Sequence, residues 1–146
     1  MKKFLSVSAV SLFLCAAVPA FGYVIAPEVA KTTADKLLSL DSDFVGAGEA
    51  TVTTVAEDGT PAYYVIEYNA GGWAIVSAQS SSKPLIAYNP TGKYEVPEPM
   101  QAVLDANKQR IVAEAENNAD YQHIGWSRAA EACGRACIDA RCSTSH

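Results

Sequence analysis

The 146-residue chain lacks the features that mark several common functional classes. It has no stripe of lysine and arginine with interleaved aromatic residues, and 11 basic against 16 acidic side chains give a formal net charge of −5. A nucleic-acid partner is therefore not expected, because binding to a phosphate backbone requires clustered lysine and arginine side chains. There is no repeat, no low-complexity tract and no G-x-G-x-x-G spacing, so the Gly71-Gly72 pair indicates a turn rather than a phosphate-binding loop.

The paired C-x-x-C motif of zinc knuckles is also absent, although Cys133, Cys137 and Cys142 lie close together near the C-terminus. With His146 they could supply four zinc ligands; in an oxidising compartment two of them would instead form a disulfide, or the tail would stay reactive. A bridge between residues 133 and 137 is the least favourable pairing inside a helix. A cysteine nucleophile with His123 as its base would need an oxyanion hole, and no such pattern surrounds the tail. No enzyme activity and no cofactor are therefore expected.

The N-terminus has the pattern of a secretory signal peptide. Lys2 and Lys3 precede an apolar run, Phe4–Val18, and small residues follow it at the positions that a signal peptidase reads. We expect cleavage within residues 20–22 and a secreted or periplasmic mature protein. Lipid attachment at Cys15 would require a small residue where Leu14 stands, and the run is too short for a membrane span. Loss of two lysines leaves nine basic against 16 acidic side chains, a net charge of −7.

Two amphipathic helices flank the middle of the chain. The first is predicted over Pro27–Leu40, where helical spacing places Val29, Thr33, Lys36, Leu37 and Leu40 near one face. The second begins near Pro97 and ends at residues 117–118. Its apolar stripe consists of Met100, Val103, Leu104, Ile111, Val112 and Ala115.

Between the helices, apolar residues recur at strand spacing and turn residues mark each reversal. Strands are predicted at Thr51–Val55, Ala62–Tyr68, Trp73–Ala78 and Leu85–Tyr88. Asp58-Gly59 is a hairpin signal between the first two strands. The polar composition of Gln79–Lys83 predicts a solvated loop, and Trp73 is expected in the core. The predicted fold is thus α+β, a four-stranded antiparallel sheet packed by N- and C-terminal helices.

The order of these segments resembles the pro-segment of streptopain-family, papain-like cysteine proteases and the stand-alone streptopain inhibitor domains (Spi-like) that share its fold. The resemblance covers about residues 26–115 and rests on Tyr64–Asn69, Gly71–Ala78, Pro84–Tyr88, Gly92 and Tyr94. The chain departs from the family pattern at Gln79–Ser82 and at Ala87-Tyr88-Asn89. Three regions follow: a signal peptide (1–22), an inhibitor-like domain (23–118) and a cysteine-containing tail (119–146), either disordered or helical.

The resemblance implies an exported inhibitor that binds over the active-site cleft of a streptopain-like cysteine protease. Asn89, Pro90, Thr91 and Gly92 match the position of the family's blocking loop, although an Asn-Pro-x-Gly turn also forms without a partner. Because the resemblance ends near the second helix, the tail is expected to be dispensable. Two alternatives remain: a remnant pro-segment of a truncated zymogen, and an exported metal or redox protein acting through its cysteines.

Overall fold

The computed structural model describes residues 23–45, 48–118 and 121–130. The predicted signal peptide and the three tail cysteines lie outside the described residues. The elements in chain order are α1 (Pro27–Leu38), β1 (Ala50–Glu57), β2 (Thr60–Tyr68), β3 (Trp73–Ser77), β4 (Leu85–Asn89) and α2 (Glu98–Asn117). Residues 124–130 are also helical and are called the 124–130 helix below.

The four strands form one antiparallel sheet in the order β1-β2-β3-β4. The predicted α+β class and four-stranded sheet are therefore confirmed. Asp58 and Gly59 join β1 to β2 with positive φ values of 48° and 81°, the conformation that a two-residue hairpin requires. Strands β1 and β4 are the two edges of the sheet.

The alternation of side chains along β2 divides the core into two halves. Tyr64, Ile66 and Tyr68 face α1, whereas Tyr63 and Val65 face α2. The sheet is consequently covered on both faces, which explains why β3 between them is buried at every position. On the second helix the predicted stripe is largely correct, with Leu104, Ile111 and Val112 buried, but Val103 is 58% exposed.

The predicted face of α1 is correct at Thr33 and wrong at Val29 and Leu40. Its buried residues are Ala30, Thr33, Ala34 and Leu38, whereas Val29 is 50% exposed and Leu40, beyond the end of the helix, is 79% exposed. Two alanines at the contact let the helix lie close to the sheet, whose large side chains fill the space. The size of an apolar side chain therefore does not identify the face of α1 that packs on the sheet.

The segment from Gln79 to Ser82 is the second correction. All four residues are between 0% and 7% exposed, where a solvated loop was predicted. The Gln79 side-chain amide donates to the Pro61 carbonyl at 2.6 Å, and the Ser80 hydroxyl accepts the Tyr23 amide at 2.8 Å. Two of the four side chains thus bind backbone groups that are remote in sequence, which composition cannot reveal.

Residues 121–130 cover this loop. The Trp126 indole donates to the Ser82 carbonyl at 2.9 Å, and the His123 amide donates to the Ser80 carbonyl at 2.8 Å. Trp126 is 6% exposed and packs with the α1-facing core, and Ala129 is also buried. The packed part of the chain therefore extends beyond residue 118, and this packing argues against the expectation that everything after it is dispensable.

Candidate functional site

The loop Asn89–Gly92 follows the edge strand β4 and is the candidate site of the sequence prediction. Asn89, Thr91 and Gly92 are exposed, and Pro90 is half-buried. The side-chain oxygen of Asn89 accepts the Thr91 amide at 3.1 Å, which closes a local turn. Gly92 has a φ of 82°, in the left-handed region that favours glycine. The loop therefore has its own internal structure while its outer surface faces solvent.

The Gly71-Gly72 turn packs against the backbone of this loop. The Gly72 amide donates to the Gly92 carbonyl at 2.8 Å. A Cβ atom built on Gly72 would lie 2.7 Å from the Pro90 carbonyl oxygen, and Gly72 has a φ of 92°. The turn prediction for this glycine pair is confirmed, but no sequence pattern indicated that Gly72 is needed for close approach to a second loop.

Trp73 holds both ends of the loop. Its backbone pairs with Asn89 at the start of the loop, and its ring meets that of Tyr94, two residues past Gly92, edge-on with centroids 5.2 Å apart. The indole is 6% exposed, so its predicted place in the core is confirmed. Anchoring at both ends restricts the loop before any partner binds. The sequence did not predict the contact between Tyr94 and Trp73. The short distance along the chain from Pro90 to Tyr94 was the only indication that Tyr94 lies close to the loop.

The phenol groups near the site are uncharged at neutral pH. Burial raises the pKa of Tyr94, and the negative charge of Glu67 raises it further. Burial also raises the pKa of Tyr68, whose hydroxyl donates to Asp35 at 2.7 Å, and this hydrogen bond favours the protonated phenol. The aromatic side chains thus provide packing and hydrogen bonding rather than charge.

A shallow cavity of about 610 Å³ lies beside the loop, between Gly92 and the turn of residues 69–72. Its charged lining residues are Glu67 and Lys93, one of each sign. The described residues that line it include no cysteine, serine or histidine. The cavity is open and has a mixed polar and apolar lining, which suits contact with a partner surface.

His123, considered above as a base, has a structural role in the described part of the chain. Its Nδ1 accepts the Gly125 amide at 3.0 Å, the position of a helix N-cap, and so it begins the 124–130 helix. The cysteines that would have paired with it lie outside the described residues. Among the residues that are described, no helix is long and apolar enough to cross a membrane.

Comparison with known proteins assigns the chain to a family. A search of curated proteins and a search of solved structures each found no match. A family model described as Spi protease inhibitor matches residues 22–111, close to the range of the resemblance noted above and including the whole sheet and the Asn89–Gly92 loop. This match spans more than half of the chain, and the chain belongs to the Spi protease inhibitor family.

Proposed function

We propose that this protein is an exported inhibitor of a streptopain-like cysteine protease and that the Asn89–Gly92 loop covers the active-site cleft. Membership of a protease inhibitor family supports a protease as the partner. The observation that carries the site assignment is the contrast within the loop, whose outer side chains are exposed while both ends are held by Trp73.

A loop of this kind suits inhibition because its ordering cost is met before binding. Protease inhibitors that bind with a preformed backbone change little between the free and bound states. The neighbouring turn of residues 69–72 is part of the same rigid surface, since the amide of Gly72 binds the Gly92 carbonyl. Export rests on the N-terminal pattern of two lysines and an apolar run.

The test is competitive kinetics of the purified protein, starting at Tyr23, against a streptopain-like protease of the same organism with a small peptide substrate. Replacing Asn89 and Thr91 by alanine should weaken inhibition at least about tenfold, about 1.4 kcal/mol. The matched control is the double variant Thr53→Ala, Asn117→Ala. Both of these residues are exposed, and neither belongs to the loop. It should inhibit as well as the parent.

The outcomes separate the alternatives. Equal inhibition by the loop variant and the parent would show that residues 89–92 are only a turn. Absence of inhibition by the folded parent would favour the remnant of a truncated zymogen. Stoichiometric zinc in the full-length protein, together with no inhibition, would favour a function in the cysteine tail.

A further inference from the structure

An apolar groove of about 430 Å³ lies between the end of α1, the start of β4 and the 124–130 helix. Its apolar lining is formed by Leu37, Leu40, Pro84, Leu85 and Ile124. Leu40 is 79% exposed and Ile124 is 57% exposed. Large apolar side chains gathered at one concave surface are typical of an interaction site.

The groove is preformed because its walls are tied together. A Cβ atom on Gly125 would lie 2.7 Å from the Cδ atom of Pro84, so the 124–130 helix sits directly against the start of β4. The His123 amide, which donates to the Ser80 carbonyl at 2.8 Å, fixes the helix in this position. The contacts that cover residues 79–82, called the buried serine loop below, therefore also hold the walls of the groove in place.

The charge at the groove is opposite to that of the protein. Its charged lining residues are Lys83 and Arg128, and its described lining includes no acidic side chain. Lys83 and Arg128 are exposed, and neither forms an ion pair with another residue of the described ranges. In a chain of net charge −5 this local concentration favours a partner segment that carries a carboxylate beside an apolar side chain.

The groove is joined to the Asn89–Gly92 loop by β4. Leu85 lies in the groove and Asn89 opens the loop, four residues or about 13 Å further along the strand. Tyr88, 46% exposed, lies between them on the same face as Leu85. A stable protease–inhibitor interface buries about 800 Å² on each partner, which is more than a four-residue turn can provide.

We infer that the groove is a second docking site for the target protease, outside its active-site cleft, and that it receives an apolar segment bearing at least one carboxylate. This inference rests on the proposed function. The loop blocks the cleft, and the groove adds affinity and selects among related proteases by charge and shape.

The test measures binding to a streptopain-like protease of the same organism, once in its active form and once with its catalytic cysteine carboxymethylated. Leu40→Ser and Arg128→Glu should each weaken binding at least about fivefold in both forms. The matched controls are Val103→Ser, 58% exposed on α2, and Lys36→Glu, which makes the same charge change outside the groove. They should stay within about twofold of the parent.

Failure of the groove and failure of the proposed function give different results. If both groove variants bind like the parent while the Asn89 and Thr91 double variant is weaker, the groove inference is overturned and the loop stands. If the folded parent binds neither form of the protease, both are overturned. A parent that sediments as a dimer and becomes a monomer on Leu40→Ser would show that a second copy occupies the groove, which also overturns the inference.

Discussion

The loop that precedes β4 and the loop that follows it are both short and polar, but only the second faces solvent. In the first, residues 79–82 are 0% to 7% exposed, and the side chains of Gln79 and Ser80 bind the backbone of distant segments. In the second, Asn89 and Thr91 bind each other and leave their outer surfaces open. The difference shows that polar composition does not decide burial; the availability of hydrogen-bond partners does.

Each loop is also held by its own tryptophan. Trp126 donates to the carbonyl of Ser82 in the buried loop, whereas Trp73 pairs and packs with the residues at the two ends of the exposed one. This division implies that the buried loop stabilises the fold and supports the wall of the groove, while the exposed loop, the proposed binding site, needs Trp73 to keep its shape. Mutations should separate the two roles.

The largest effects are expected from replacing the two tryptophans. Trp73→Ala and Trp126→Ala should each lower the free energy of unfolding by about 3–5 kcal/mol, since a large buried aromatic leaves lost transfer energy and a cavity. Trp73→Ala should also weaken protease inhibition by loosening the Asn89–Gly92 loop, and Trp126→Ala should weaken it less, through the 124–130 helix that lines the groove. Urea melts measure the first effect, and kinetics at a temperature where the variants are folded measure the second.

Phenylalanine at each position serves as the control if an alanine variant does not fold. Trp126→Phe keeps much of the buried area and loses the hydrogen bond to Ser82, so it should inhibit like the parent. A loss of inhibition in Trp126→Phe, or unaltered inhibition in Trp73→Ala, would contradict the division between the loops. Truncation after Asn118 removes the same indole and should destabilise the protein as Trp126→Ala does. It also removes Ile124 and Arg128 from the groove, so it should weaken protease binding at least as much as Arg128→Glu.

The sequence predicted the regular elements better than the loops between them. Alternation identified the strands, and Asp58-Gly59 marked the hairpin between the first two, because these patterns are local. The buried serine loop depends on partners up to 57 residues away in the chain, which no local pattern contains. The place of Trp126 in the core was missed for the same reason. For the candidate site, the position of residues 89–92 was available from the resemblance, but its support by Gly72 and Tyr94 was not.

The next largest effect concerns the close contact between the two turns at the exposed site. Gly72→Ala should cost about 2–4 kcal/mol, because alanine there meets both an unfavourable φ and the Pro90 carbonyl, 2.7 Å from its Cβ. The loop must then shift, and inhibition should fall at least about tenfold.

Gly59→Ala is the matched control for this change. Gly59 has a similar φ of 81°, but a Cβ atom added to it would meet no heavy atom within 4 Å, and its turn joins β1 to β2. The substitution should cost only about 1 kcal/mol of backbone strain and leave inhibition unchanged. If Gly59→Ala weakens inhibition as much as Gly72→Ala, the effect comes from general destabilisation and the contact with Pro90 has no special role.

The smallest effect is expected inside the buried loop itself. Ser81 is 7% exposed, and its hydroxyl has no hydrogen-bond partner among the described residues, whereas the neighbouring Ser82 hydroxyl donates to Glu114 at 3.0 Å. Burying an unpaired hydroxyl is unfavourable, so Ser81→Ala should leave the free energy of unfolding within about 0.5 kcal/mol of the parent or raise it. Ser82→Ala should lower it by about 1 kcal/mol because a hydrogen bond to a carboxylate is lost. Parallel urea melts compare the two alanines. A loss above about 1 kcal/mol in Ser81→Ala would mean that the Ser81 hydroxyl has a hydrogen-bond partner in solution. Every polar side chain of the buried loop would then form a stabilising hydrogen bond, which would increase its contrast with the exposed loop.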